Sequence, residues 1–218
     1  MSPGKALVST AYLPPIQYIT KFILFSDIVI EQHENYNKQS YRNRCVILSG
    51  NGPLTLSIPI RKEHTAKIPV SKARLDYDTP WNRIHWKTLK AAYHCSPFYE
   101  YYIDSFAPFY DRQFEYLFEF NQKLLSLVLD LCHIEAEIKT TSGYEPAFSK
   151  GIDYRENIHP KPARQATDHL FIGHAYTQVF YEKFGFVPNL SIIDLLFNEG
   201  PNAYSILKSH IPELPRGE

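Results

Sequence analysis

The first 33 residues restrict the fold more than any other stretch of the chain. Residues 6–13, ALVSTAYL, form an apolar run that predicts a buried strand, and the Pro14-Pro15 pair ends it. Proline fits the first turn of a helix, and the segment PIQYITKFILFS repeats apolar residues at helical spacing. Residues 27–33, DIVIEQH, predict a second strand. Because strand, helix and strand follow one another so closely, the sequence predicts a parallel βαβ unit.

The remainder of the chain predicts a hairpin and then mainly helices. RCVIL and LTLSIPI flank SGNGP, whose residues favour a turn, and this pattern predicts a β-hairpin. Helices are expected to begin at Thr79-Pro80 and at Ser96-Pro97, because each pair supplies an N-cap residue and a first helical proline. The longest helix is expected at 111–132, a possible strand at 135–140, and a later helix at 169–184.

These elements together predict an α/β fold, with an N-terminal βαβ unit in a mixed sheet and an α-helical second half. The length of 218 residues fits one domain, with the sheet mainly in 1–75 and the helical part mainly in 79–210. No run approaches the roughly 18–20 apolar residues of a membrane span. The three cysteines are odd in number and contain no C-x-x-C pair, so a reduced, cytoplasmic protein without structural zinc is expected.

Charge is unevenly distributed along the chain, although the net charge is zero. Residues 38–90 contain eleven Lys and Arg against three acids, which predicts that this part faces an anion. A small phosphorylated ligand fits better than nucleic acid, because no nucleic-acid motif accompanies the basic residues. The alternative is that the basic and acidic regions cover each other in the fold.

Several candidate ligand-binding residues lie in the βαβ unit. Tyr12 and Gln17 lie where the first strand passes into the first helix, which is the usual ligand crevice of open α/β sheets. The free amides at that helix N-terminus are a candidate phosphate site, and a purely structural Pro-Pro turn is the alternative. Asp27 and Glu31 share one strand face and suit metal binding or acid-base chemistry, with Glu31 favoured. Acids that only mark the strand ends are the alternative.

The basic region supplies further candidates. In YRNRC, Arg42 and Arg44 are expected on one face of an extended segment opposite Asn43, suited to a phosphate or carboxylate. Charges that protect an edge strand are the alternative. In WNRIHWKTLKAAYH, Trp81 and His85 are i,i+4 neighbours on a helix. His85 is therefore either a general base or a packed, hydrogen-bonded ring.

Two later segments complete the candidate set. In IHPK, residues 158–161, His159 and Lys161 suit a base and a cation placed over a ligand, with ordinary loop solvation as the alternative. In PNLSIIDLLFNEGP, Ser191 and Asp194 have the spacing of a helix capping box. Helix-end chemistry does not account for Asn198, so a site role for this run depends on it and on its neighbour Glu199.

Read together, STAYLPPIQY, SDIVIEQHENYNKQSYRNRC, TPWNRIHWKTLKAAYHCSPFYEYY, IHPK and FVPNLSIIDLLFNEGP resemble the WbqC-like protein family. The family's opening Gln-Pro-x-x-x-Pro pattern is replaced here by Ala11-Tyr12-Leu13-Pro14-Pro15. The resemblance implies bacterial surface-polysaccharide, or O-antigen-type, biosynthesis. The resemblance implies that eight residues occupy positions of the family pattern. They are Asp27, Asn43, Arg44, Trp81, His85, Tyr93, Asp194 and Asn198.

Two hypotheses from different classes follow. The first is an enzyme, such as a transferase, that acts on a nucleotide-linked or otherwise activated sugar, with His85, Glu31 and His159 as catalytic candidates. The second is a non-catalytic sugar- or nucleotide-binding protein of the same pathway. The sequence assigns no cofactor to either. The enzyme requires His85, Glu31, Arg44 and residues 158–161 to converge on one pocket.

Overall fold

A computed structural model describes residues 4–62 and 67–213. Its central element is a parallel sheet in which strand β1, Lys5–Ser9, pairs with strand β2, Asp27–Glu31. Helix α1, Ile16–Leu24, connects the two strands, and the predicted βαβ unit is confirmed. The short strands β5, Lys139–Thr140, and β6, Gly151–Asp153, extend this sheet in the order β5-β2-β1-β6.

The predicted hairpin forms a second, separate sheet. Strand β3, Arg44–Ser49, pairs antiparallel with strand β4, Gly52–Ser57. The sequence predicts one mixed sheet, whereas parallel and antiparallel strands divide between two sheets. The reason is that both edges of β1 and of β2 are already occupied by parallel partners. The α/β class itself is confirmed.

Helices dominate the second half, as the sequence predicts. Their bounds are α2 Trp81–Tyr93, α3 Tyr99–Asp111, α4 Leu117–Leu131, α5 Tyr181–Phe184, α6 Ile192–Glu199 and α7 Ala203–Ser209. Within the two described ranges, none of the helices is both long and apolar enough to cross a membrane.

The predicted helix at 169–184 is wrong over most of its length, because only α5 at its end is helical. The amide of Ile172, which would bond to the Asp168 carbonyl in such a helix, donates instead to the carbonyl of His210 at 2.7 Å. A buried ion pair of 2.6 Å between Lys21 and Asp168 also fixes this segment against α1. Tertiary contacts therefore override the helical periodicity.

An aromatic core joins the hairpin side of the molecule to the helices. Trp81 of α2 packs edge-on against Phe120 of α4, with ring centroids 5.7 Å apart. Phe197 of α6 contacts the rings of Tyr93, Tyr99 and Phe106. Because rings of α2 lie in this core, the amino end of α2 is held against the hairpin, where it borders a cleft.

Candidate ligand-binding cleft

A cleft of about 850 Å³ lies between the hairpin and the first two turns of α2. Its walls come from the loop after β2, the first residue of β3 with the residue before it, the end of β4 with the residues after it, and the start of α2. The lining residues are Tyr36, Lys38, Gln39, Asn43, Arg44, Ser57, Ile58, Pro59, Ile60, Arg61, Lys62, Ile68, Thr79, Trp81, Ile84 and His85.

The cleft is strongly basic. Lys38, Arg44, Arg61 and Lys62 contribute four cations, and the lining residues include no Asp or Glu among those described. Across residues 4–62 and 67–213, no carboxylate oxygen lies within the 4.0 Å of an ion pair from any of these four. The amino terminus of α2 adds a partial positive charge. The cleft therefore favours an anionic ligand. Glu63, one of the three acids within 38–90, lies outside the described residues.

Three predicted residues that line this cleft also carry buried polar atoms without partners. Trp81 Nε1, Arg44 Nε and Asn43 Oδ1 are buried, and the described part of the chain offers none of them a hydrogen-bond partner. Asn43 Nδ2 donates to the Ile58 carbonyl at 2.8 Å, which holds the amide in place. A buried polar atom without a partner is destabilising by about 1–3 kcal/mol.

His85 also lines the cleft, and a buried hydroxyl chain supports it. Its Nδ1 lies 3.0 Å from the Tyr12 hydroxyl, which in turn lies 2.9 Å from the Tyr110 hydroxyl. Burial lowers the pKa of His85 to about 4, against a smaller opposite effect of a hydrogen bond to the Ser57 backbone. The imidazole is therefore neutral at neutral pH, and burial disfavours its protonated form. Tyr12 does not line the cleft, and its link to the cleft is the hydrogen bond between its hydroxyl and His85.

Glu31 lies away from the cleft, at the carboxyl end of β2. Its side chain is fully buried, and Oε1 accepts hydrogen bonds from His33 N at 2.7 Å and from Thr141 Oγ1 at 2.8 Å. Its Oε2 lies 3.6 Å from Arg155 Nη1. The structure therefore does not bring Glu31 together with His85.

The loop at 158–161 approaches the cleft only at its rim. Lys161 Nζ donates to the side chain of Gln39, which lines the cleft. His159 is 1% exposed, and its Nδ1 accepts from Lys161 N at 3.0 Å. Burial, with a contribution from Arg164, lowers the pKa of His159. Lys161 is thus a rim residue, whereas His159 supports the loop from inside.

The predicted phosphate site at the N-terminus of α1 is wrong, because the chain itself occupies those amides. Ile16 N donates to the Leu190 carbonyl at 3.0 Å, and Gln17 N donates to Asn189 Oδ1 at 2.9 Å. The Gln17 side chain is committed as well, since its Nε2 donates to Asp168 Oδ2 at 2.8 Å. Gln17 therefore joins α1 to two distant segments.

Asp27 lies at the amino end of β2, at the far end of that strand from Glu31. Its carboxylate pairs with Lys5 and with Lys139, each at 3.3 Å. Burial alone would raise the pKa of Asp27, but the two lysines hold it below its usual value. Asp27 thus fastens β1 and β5 to β2.

The candidates on and near α6 lie in the interior. Ser191 caps the helix, as predicted, with its Oγ accepting from Ile193 N at 3.5 Å. The other half of the capping box is wrong, because Ser191 N donates to the Val46 carbonyl. Asp194 instead accepts from the Tyr176 hydroxyl at 2.6 Å, and burial raises its pKa to about 6.

Asn198 and Tyr93 are likewise internal. Asn198 Nδ2 donates to the Asp194 carbonyl at 2.8 Å within α6. The Tyr93 hydroxyl accepts from Leu48 N at 3.3 Å and so joins α2 to β3. Neither side chain lines the cleft. Glu199 accepts a hydrogen bond from Thr177 N, so its carboxylate has a structural contact with the segment before α5.

Sequence reasoning did not single out Lys38, Arg61, Lys62 and the ring of Tyr36 as site residues. The signal that could have found the cations is the basic excess in residues 38–90. That excess does not say which cations meet, because Lys38 and Arg61 come together only when β3 and β4 pair.

Comparisons with known proteins support the family resemblance. A model of the WbqC-like protein family matches residues 10–162 and 163–206. A protein of Mycobacterium tuberculosis (strain ATCC 25618 / H37Rv), named "Uncharacterized protein Rv1507c", is 24% identical over 224 residues, covering 93% of this chain and 96% of the relative. No solved structure matches the chain.

Proposed function

This chain belongs to the WbqC-like protein family, and from that premise we propose that it binds a nucleotide-linked or otherwise activated sugar during bacterial surface-polysaccharide biosynthesis. The phosphates occupy the basic cleft, and the aromatic side chains of Trp81 and Tyr36 hold the sugar or base. The family resemblance supports the pathway, and the cleft supports the kind of ligand.

One observation carries this proposal: the cleft combines Lys38, Arg44, Arg61 and Lys62 without an acidic partner in the described residues. A buried cation with a structural role normally pairs with a carboxylate of the same chain, as Arg42 pairs with Glu34. Four unpaired cations around one concave surface raise the local concentration of a polyanion such as a diphosphate. Arginine is also suited to bidentate phosphate recognition.

Within this proposal, the protein is a transferase in which His85 moves the proton. Among the catalytic candidates, His85 alone lines the cleft, and its imidazole is neutral at neutral pH. Tyr12 and Tyr110 hold the ring in position through their hydroxyl chain. An acceptor hydroxyl would lose its proton to His85 as its oxygen bonds to the anomeric carbon of the sugar. The bond from that carbon to the phosphate oxygen breaks, and the nucleotide leaves with its electron pair, its phosphates held by the cations of the cleft.

The second candidate function is non-catalytic binding of the same ligand. The placement of Glu31 and His159 favours it, because neither lines the cleft and no carboxylate among the described lining residues can share acid-base work. Incubation with nucleotide-sugars separates the two functions. Release of nucleotide that His85→Gln abolishes, while ligand binding persists, supports the enzyme. Binding without release across a panel of sugar acceptors supports the binding protein.

A matched pair of lysine variants tests the cleft itself. Lys62 lines the cleft and Lys87 is exposed on α2 outside it, so Lys62→Gln and Lys87→Gln each remove one ammonium group. We expect UDP, UDP-glucose and pyrophosphate to raise the Tm of the wild type, because they bind the native state. Lys62→Gln should weaken binding about fivefold, equivalent to about 1 kcal/mol, and Lys87→Gln should leave it unchanged.

Titration calorimetry at low and at physiological salt supplies the measurement, and binding should weaken as salt rises. The proposal is abandoned if no nucleotide, nucleotide-sugar or pyrophosphate binds. It is equally abandoned if the two lysine variants lose affinity to the same extent, since the effect would then come from net charge.

A further inference from the structure

Ile84 is the most exposed leucine or isoleucine of the described residues, with 49% of its surface accessible to solvent. It lies on α2, outside the hydrophobic core, and it lines the basic cleft. A single exposed aliphatic side chain is common on a protein surface, whereas a contiguous group of them usually marks an interaction site.

Ile84 belongs to such a group. Pro59, Ile60 and Ile68 line the same cleft and are each partly exposed, so a molecule that enters the cleft can reach them. We call these four residues the apolar wall. Their side chains carry no hydrogen-bonding group and contribute nothing to the recognition of a phosphate, but they favour contact with hydrocarbon. The cleft therefore offers a surface for an apolar group beside its surface for an anion.

The positive charge extends from the cleft onto the outer face of α2. Lys38, Arg61 and Lys62 line the cleft and are exposed, and Lys87 is exposed one helical turn after Ile84, on the same face of the helix. In the described part of the chain, no carboxylate oxygen lies within 4.0 Å of Lys87. Unpaired cations on both sides of Ile84 are complementary to an extended anionic surface rather than to one small anion alone.

From this arrangement we infer that the cleft and the adjoining face of α2 dock on an anionic lipid membrane. Ile84 enters the boundary between headgroups and acyl chains, and the cations around it contact lipid phosphates. Exposed apolar side chains and nearby Lys and Arg are the two contributions by which a protein surface binds a membrane. The inference rests on the anion-binding cleft of the proposed function, and it names a membrane surface as the partner of that site.

Vesicle flotation tests the docking directly. The two probes are vesicles of phosphatidylcholine alone and vesicles of phosphatidylcholine with about 30% phosphatidylglycerol, which is anionic. We expect the wild type to bind the anionic vesicles at least about tenfold more tightly than the neutral ones, and the difference should shrink as salt rises.

A matched pair of isoleucine variants tests the apolar contribution. Ile84→Ser removes the exposed aliphatic side chain and should weaken binding to the anionic vesicles about fivefold. Ile172→Ser is the control, because Ile172 is 42% exposed but does not line the cleft. Urea denaturation of both variants establishes that each is folded under the conditions of flotation.

Lys87 distinguishes docking on a surface from binding of a small anion. Lys87→Gln should weaken vesicle binding about fivefold, although it should leave the affinity for pyrophosphate unchanged because Lys87 does not line the cleft. Lys208→Gln is its control, since Lys208 is exposed on α7 and also lies outside the cleft lining. It should leave both measurements unchanged.

The outcomes separate this inference from the proposed function. If vesicles of neither composition bind, or if both bind equally, the inference is wrong, and nucleotide-sugar binding in calorimetry still supports the proposed function. Equal losses within either matched pair of variants also overturn it. A dimer in solution that Ile84→Ser dissociates would instead assign the apolar wall to a second copy of the chain. Anionic vesicles that bind as expected, without any binding of nucleotides or pyrophosphate, would support membrane docking and contradict the proposed ligand.

Discussion

Arg42 and Arg44 are separated by one residue, yet they belong to two regions with opposite uses of charge. Arg42 is 3% exposed and donates to both carboxylate oxygens of Glu34, at 2.8 and 2.6 Å. It belongs to a paired cluster at the carboxyl end of the parallel sheet, which we call the edge cluster and which consists of Glu31, Glu34, Arg42, Asp153 and Arg155. Arg44 lines the basic cleft, and its Nε has no hydrogen-bond partner in the described chain.

The difference shows that the positions of the acids, rather than the positions of the arginines, decide which cation serves the fold. In the edge cluster each cation lies beside a carboxylate of this chain, so its charge is satisfied before any ligand arrives. In the cleft the described residues supply no matching carboxylate. The edge cluster is therefore a structural element, and the cleft is the surface at which we propose that a ligand binds.

Replacing each arginine in turn should produce the largest contrast. Arg42→Met leaves Glu34 largely buried without its ion partner, which is expected to destabilise the fold by about 3–5 kcal/mol. Arg44→Met leaves no acid unpaired and should change the free energy of unfolding by about 1 kcal/mol or less. Urea denaturation of both variants measures this. Equal destabilisation would remove the distinction between the two regions.

The pH dependence of stability gives the next largest effect and reports on the cleft. His85 is 4% exposed, and burial lowers its pKa to about 4, from about 6.5 in the unfolded chain. The unfolded state therefore binds the proton first, so stability falls as pH drops from about 6.5 to about 4 and levels below that. Over this window the loss due to His85 is about 3 kcal/mol.

The comparison of wild type with His85→Gln isolates this contribution. The buried His210 also has a pKa of about 4, and Asp194 one of about 6, but both remain in the variant. The difference between the two unfolding free energies should shrink by about 3 kcal/mol between pH 7 and pH 4. A difference that does not vary with pH would show that His85 is not held neutral by burial.

The smallest effect is expected at an exposed ion pair and separates pairing from burial. Lys123 and Glu119 on α4 pair at 2.7 Å, but both side chains are about half exposed. Lys123→Ala is expected to reduce stability by about 0.3–0.5 kcal/mol, because solvent screens the pair. Chemical denaturation of Lys123→Ala, carried out alongside Arg42→Met, measures this loss of stability. A loss as large as that of Arg42→Met would mean that burial does not set the strength of the edge cluster.

Much of the local architecture could be predicted because neighbouring residues encode it. The βαβ unit, the hairpin around SGNGP and the Ser191 cap all depend on spacing within one element. The helix expected at 169–184 failed where distant groups, such as the carbonyl of His210, took its amides. Asp194 kept its predicted position near the start of α6, but its carboxylate accepts from Tyr176 and Gln178 rather than from Ser191 N.

The candidate site was predictable only as a region. The basic excess and the pattern that includes Asn43, Arg44, Trp81 and His85 indicated an anion site between residues 38 and 90, and these four residues line one cleft. The same local reasoning also named Gln17, Asp27 and Asn198 as ligand-binding candidates. The side chain of each one instead bonds to another group of the protein. Sequence spacing does not report which side chains already have partners.

By itself, the sequence determined the class of fold, the order of the main elements as far as α4, and the sign of charge that the first half presents. These properties follow from periodicity and composition over short stretches. Only the tertiary structure decided that Arg42 meets Glu156 from far along the chain, and that Tyr12, His85 and Tyr110 form one hydroxyl–imidazole chain. Those contacts join residues more than 70 positions apart, and their formation depends on how the sheets and helices pack together.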